Sequence, residues 1–131
     1  MLTQLLSCAT RRYMSPEVVK ILPYGLSADV YSFAICFHEV LSLSPAFDNY
    51  TREQHYREVV SKGKRPKLPK SWPEMLKDLF RRSWHGDTSK RPSMTAIRQL
   101  LRIALPEDHM VDERWNELML RSDRSAISAH G

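Results

Sequence analysis

One stretch, residues 27–44, most constrains what this chain can fold into: SADVYSFAICFHEVLSLS. At helical spacing Val30, Phe33, Phe37, Val40 and Leu41 share one face, and Tyr31, Ile35, Cys36 and Leu43 cover much of the rest. A helix apolar on most sides is a buried helix, whereas a surface helix carries a single apolar stripe. Asp29, His38 and Glu39 interrupt the run, and it is too short to cross a bilayer. The stretch therefore predicts a central core helix on which other helices pack. Ser27 is the expected N-cap, its hydroxyl taking up an unpaired first-turn amide. Asp29 then meets the positive end of the helix dipole.

The chain has 131 residues, enough for one domain burying roughly two-thirds of its unfolded surface. A net charge of +5 suits an acidic partner, but the charge is too dispersed to argue for nucleic acid. Cys8 and Cys36 form neither a disulfide framework nor a metal spacing. Cys36 is expected to be a small apolar residue inside the core helix. The opening MLTQLLSCATRR has no basic leader before an apolar run, so no secretory signal is expected. These features predict a cytoplasmic protein with no membrane contact.

Along the chain, residues 1–8 carry no structural signal. Pro16 suits a helix start, so residues 16–22, PEVVKIL, are expected to form a short helix after an extended loop. Residues 51–61, TREQHYREVVS, open with a capping box, Thr51 with Gln54, and have Gly63 just beyond. The basic segment 62–70, KGKRPKLPK, reads as a solvated, semi-rigid connector rather than a polyanion patch. Ser71 with Glu74 is a second capping box, opening a helix with Leu76, Leu79, Phe80 and Trp84 on its apolar side. After a turn-rich loop at residues 85–92, residues 93–105 form a last core helix closed by Pro106. A tail follows, in which residues 111–120 are expected to form an amphipathic helix and the final ten residues to be disordered. The fold class is all-α, about five helices.

Most residues that invite a chemical reading fail it. The five histidines, His38, His55, His85, His109 and His130, show no pair at metal-ligand spacing. His85-Gly86-Asp87 reads as a plain turn. The glycines, Gly25, Gly63, Gly86 and Gly131, are too far apart for a phosphate-cradling loop. Glu17 and Arg91, each beside a proline, would as isolated charges be solvated. No active site is assembled by spacing alone.

Four motifs in order carry a resemblance. Thr10-Arg11-Arg12-Tyr13-Met14-Ser15-Pro16-Glu17 resembles the end of a protein-kinase activation segment, with Ser15-Pro16-Glu17 in place of the Ala-Pro-Glu signature. Asp29-Val30-Tyr31-Ser32-Phe33 resembles the start of that family's buried central helix. Gly63-Lys64-Arg65-Pro66-Lys67-Leu68-Pro69, and Trp84 through Lys90-Arg91-Pro92-Ser93, resemble its later helical subdomains. The wording is most similar to tyrosine-kinase-like serine/threonine kinases. The resemblance implies an incomplete helical C-terminal lobe over residues 9–106, with residues 1–8 unassigned and 107–131 a polar tail.

It also implies roles. Thr10, Tyr13 and Met14 would belong to the loop that receives the substrate residue after the phosphoacceptor, with Thr10 marking serine/threonine specificity. Glu17 and Arg91 would form a buried ion pair tying that loop to the last helices. Asp29 would hold the backbone of the catalytic loop, and Trp84 would pack in the helical core. Ala9 and Ala34 stand where the family usually has glycine. The Gly-rich loop, the Lys–Glu pair, the catalytic Asp with its Asn and the metal-binding Asp of Asp-Phe-Gly would precede Thr10. The expectation is therefore a fragment without catalytic residues of its own. Its parent, completed by the N-terminal half of the domain, would use ATP and magnesium to phosphorylate protein substrates on Ser or Thr. The alternative is a non-catalytic helical module that docks protein partners; a nucleic-acid-binding protein would rest only on segment 62–70. The isolated chain, its core helix lacking a neighbour, is expected to be poorly soluble or expanded.

Overall fold

The structure, a computed structural model, describes residues 10–104 and contains helices and no strand among them. Helix α1 is Pro16–Val19, α2 is Leu26–Ser42, α3 is Arg52–His55 continuing as a π-helix over Tyr56–Ser61, α4 is Glu74–Ser83 and α5 is Met94–Ala104. A short 3-10 turn, Thr88–Lys90, precedes α5. Contacts divide the chain into Met1–Met94 and Thr95–Gly131. The expectations for residues 1–9 and for the tail after residue 104, including the closing Pro106, lie outside the described residues.

Helix α1 is shorter than expected. Ile21 turns left-handed (φ 58°), the Leu22 amide reaches back to the Glu17 carbonyl at 2.9 Å, and the Ile21 amide reaches Val18 at 3.1 Å. This is a Schellman stop, a geometry glycine adopts freely and an L-residue adopts at a cost of about 1–2 kcal/mol. Helix α2 also ends at a left-handed residue, Leu43 (φ 53°), two residues before Pro45.

The core of the first unit centres on α2. Tyr31, Ala34 and Ile35 are buried with Ala46, Phe80 and Trp84, and Tyr13, Phe37, Phe47, Leu68, Trp72 and Leu76 pack around them. Trp84 and Phe80 rings lie 5.2 Å apart, with Trp72 5.6 Å from Phe80. His38 sits among these rings and donates Nε2–H to the Lys67 carbonyl at 2.9 Å, tying the connector to α2.

Three expectations about α2 are corrected. The N-cap is Gly25, not Ser27, which lies inside the helix. The buried face is Ala28, Val30, Tyr31, Ala34, Ile35 and His38, so of the expected stripe only Val30 is buried. Phe33 and Phe37 are half-buried, while Val40 is 63% and Leu43 92% exposed. Cys36 is exposed rather than part of the core. The helix is thus covered on one side only.

The capping box at α3 is present: Thr51 Oγ1 accepts from the Gln54 amide at 3.2 Å, and Gln54 Oε1 accepts from the Thr51 amide at 3.0 Å. Downstream the winding loosens, with the Lys62 amide bonded to Arg57 at 3.2 Å, and the chain leaves through Gly63 at φ 76°, which suits glycine. The second box does not form. Pro73 is the N-cap of α4, and no side chain caps it. Helix α4 places Leu79 and Phe80 in the core and exposes Arg81 and Arg82. In α5, Leu100 and Leu101 are half-buried, whereas Arg98, Gln99 and Arg102 are exposed.

Candidate functional site

The segment from Thr10 to Glu17 is held by a short list of strong contacts. The Tyr13 amide bonds the Thr10 carbonyl at 3.2 Å and the Met14 amide bonds Arg11 at 3.1 Å, which folds the segment into a turn. Ser32 on α2 donates Oγ–H to the Tyr13 carbonyl at 2.7 Å. Tyr13 in turn donates its hydroxyl to Glu39 Oε2 at 2.6 Å. That hydrogen bond, followed by burial, raises the phenol above its ordinary range. Glu39 also accepts from the Ala46 amide at 2.8 Å and from Arg12 at 3.4 Å. One carboxylate on α2 therefore fastens the turn and the start of the next loop together.

At the far end of the segment, Glu17 and Arg91 meet side-on. Arg91 Nη1 lies 2.6 Å from Glu17 Oε1 and Nη2 lies 3.0 Å from Oε2. The Arg91 side chain is 0% exposed and that of Glu17 8%. The guanidinium also donates to the His85 carbonyl at 2.8 Å and to the Ser27 carbonyl at 2.9 Å. Burial is the largest single influence and would raise the Glu17 pKa; the Arg91 hydrogen bonds, the further hydrogen bonds to the carboxylate and the Arg91 charge together outweigh it and leave the carboxyl below its ordinary value. The reading of these two as solvated isolated charges is therefore wrong: each side chain is desolvated against the other.

Between the segment and the connector lies Tyr31, fully buried, with Arg91 5.3 Å and Arg65 5.1 Å from its ring centre. Two guanidiniums so placed are each attracted to the negative faces of the ring. Arg65 also donates to the Trp84 carbonyl at 2.7 Å and to Val59 at 3.2 Å. Segment 62–70 is thus more than a solvated connector, since one of its cations is drawn into the core. Burial lowers the Arg65 pKa.

Thr10 is exposed and Met14 half-buried, on the same turn as half-buried Tyr13. Asp29 is exposed in the first turn of α2, where it makes no ion pair among the described residues. Trp84 is buried beside Phe80. The structure brings Tyr13 onto α2 and Glu17 onto Arg91. His85-Gly86-Asp87 is a turn in which Asp87 Oδ1 accepts from the Ser89 amide at 3.0 Å. Sequence reasoning missed Glu39, Ser32 and Arg65. Glu39 had one signal, a carboxylate in the apolar C-terminal half of the core helix, which calls for a partner.

Among the described residues no group of three His, Cys, Asp or Glu side chains could hold a metal ion. Gly25, Gly63 and Gly86 stand in separate segments. No described helix is long and apolar enough to cross a membrane.

Comparison with known proteins gives the context for this arrangement. The family model of protein tyrosine and serine/threonine kinases matches residues 4–101. The chain is 33% identical over 99 residues to the dual specificity protein kinase shkE of Dictyostelium discoideum, covering 75% of this chain and 14% of that protein. It is 38% identical over 92 residues to the serine/threonine-protein kinase STY17 of Arabidopsis thaliana, covering 70% of this chain and 16% of that protein. It is 32% identical over 124 residues to the probable inactive serine/threonine-protein kinase roco10 of Dictyostelium discoideum, covering 95% of this chain and 4% of that protein. The chain thus spans well under a quarter of the length of each of these three. With the family match extending over more than half of its residues, the chain belongs to the protein tyrosine and serine/threonine kinase family, as a helical fragment of the kinase domain.

Proposed function

We propose that the chain is the C-terminal part of a serine/threonine protein kinase and that its turn at residues 10–14 receives the substrate segment after the phosphoacceptor. The parent would transfer the γ-phosphate of ATP to protein Ser or Thr, with magnesium, in the cytoplasm. The missing N-terminal half of the domain would supply the nucleotide, metal and catalytic groups. The observation that carries the reading is the anchoring of the turn. Tyr13 is fixed from two sides by Glu39 and Ser32, which leaves Thr10 exposed on a preformed surface. A preformed receptor loop lowers the ordering cost of binding an extended peptide. Asp29, exposed and without an ion pair among the described residues, is in this reading the group that meets the catalytic loop of the other half.

The test compares the 131-residue chain with a longer protein containing it, by radiolabelled phosphate transfer to a mixed protein substrate. The expected result is no transfer by the chain alone and phosphoserine or phosphothreonine from the longer protein. Transfer by the chain alone, or phosphotyrosine as the main product, would overturn the proposal. The second reading, a non-catalytic docking module, draws support from the likeness to roco10 over nearly the whole chain. A longer protein that binds substrates and transfers no phosphate would favour it.

A further inference from the structure

Beside the Thr10–Met14 turn lies a cleft of about 380 Å³ lined by Arg11, Val19, Arg52, Glu53 and Tyr56. Arg11 comes from the turn itself, while Arg52, Glu53 and Tyr56 come from α3 and the π-helix that continues it. Neither arginine has an ion-pair partner among the described residues, in contrast to Arg12, which is paired with Glu39. Arg11 is half-buried, Arg52 exposed, and Tyr56 44% exposed. Glu53 contributes one negative charge, which leaves the cleft with a net positive charge. Two guanidiniums facing one concavity repel each other, and both carry forked donors suited to an oxyanion. Val19 and the Tyr56 ring supply apolar walls for the stem of a side chain.

We propose that this cleft takes an anionic side chain, carboxylate or phosphoryl, from a bound peptide and so makes the site selective for acidic segments. The proposal rests on reading the Thr10–Met14 turn as substrate-facing. Arg11 is adjacent to Thr10, and an extended peptide advances roughly 3.3 Å per residue. The anion therefore lies within about three residues on the C-terminal side of the phosphoacceptor.

The test is fluorescence anisotropy on the full chain with labelled peptides built around one serine. Four peptides carry Glu, phosphoserine or Gln two residues after the serine, or Glu two residues before it. The expected result at low salt is binding of the downstream Glu and phosphoserine peptides about tenfold tighter than the Gln peptide. That advantage shrinks as salt is added. Arg11→Gln/Arg52→Gln abolishes the preference, and Arg52→Gln alone, at an exposed position, weakens it without changing the melting temperature. A response to phosphoserine and not to Glu identifies phosphoryl as the ligand. Equal affinity for the Glu, phosphoserine and Gln peptides, absence of binding by all, or a preference that survives in the double variant overturns the proposal. Equal binding of upstream and downstream Glu peptides, lost in the double variant, supports the anion cleft and refutes the substrate-facing reading of the turn.

Discussion

Replacing Glu17 with alanine tests what holds the first unit together. The substitution leaves Arg91 with its bonds to the His85 and Ser27 carbonyls and strips two hydrogen bonds from a side chain that is 0% exposed. Each orphaned buried donor costs about 1–3 kcal/mol. Two of them give a range that brackets the roughly 3–5 kcal/mol lost when one partner of a buried pair is removed. A small domain has only about 5–15 kcal/mol in total, so the variant should be near unfolding. At roughly 4–8 °C per kcal/mol, the melting temperature falls by at least about 12 °C. Urea denaturation followed by far-UV circular dichroism and by tryptophan fluorescence measures the loss. Arg91→Ala should cost at least as much, because it also strands two carbonyls and removes one cation from Tyr31. The double variant Glu17→Leu/Arg91→Met should lose less than the sum of the two singles, since no charge is left buried. A Glu17→Ala variant within about 0.5 kcal/mol of the parent would refute the reasoning, because that is the size of an ordinary surface substitution.

Two further outcomes follow from other sites. His55 is buried against Phe47, and neither ring nitrogen has a hydrogen-bond partner; burial first, then Arg11 and Arg65, lower its pKa from the ordinary 6.5. The unfolded chain binds that proton more readily, so the stability is fully present above about pH 6.5 and is lost as pH falls from there through the lower folded value. His55→Phe should keep the ring contact, raise the urea midpoint, and flatten the loss below about pH 6.5; an unchanged pH profile would count against it. On α2 the exposed face with Val40, Leu41 and Leu43 should bind a hydrophobic dye and limit solubility. Val40→Lys/Leu41→Glu should raise solubility while shifting stability by under about 0.5 kcal/mol, and equal dye binding by variant and parent would show that the dye sits elsewhere.

Local chemistry was legible in the sequence, and the choice between faces was not. The Thr51–Gln54 box is a three-residue relation and forms as read. The Ser71–Glu74 box has the same pattern, but the N-cap is instead Pro73, with Trp72 packed on His38 and Phe80. Packing there outweighs one cap. In α2 the existence of a helix was plain, since apolar residues occur at every angle. That same abundance removes the periodic signal that would select Tyr31, Ala34 and Ile35 over Phe33, Val40 and Leu41, and the neighbouring Phe80 and Trp84 decide it. Arg65 looked like one more cation in a basic run. Its burial depends on acceptors at Val59 and Trp84 that no spacing rule connects to it.

The separation between Glu17 and Arg91, 74 residues, also bears on the order in which the chain assembles. Closing a loop of that length costs about 3 kcal/mol more entropy than closing the three-residue Thr51–Gln54 relation. The ion pair therefore belongs to the late part of folding, after α2 and α4 have brought their ends together. Its removal should accelerate unfolding while leaving the refolding limb of a chevron plot almost unmoved. A marked slowing of refolding would place the pair in the nucleus instead. On this view the contact acts as a latch on the finished unit, and what it controls is how long the native state lasts.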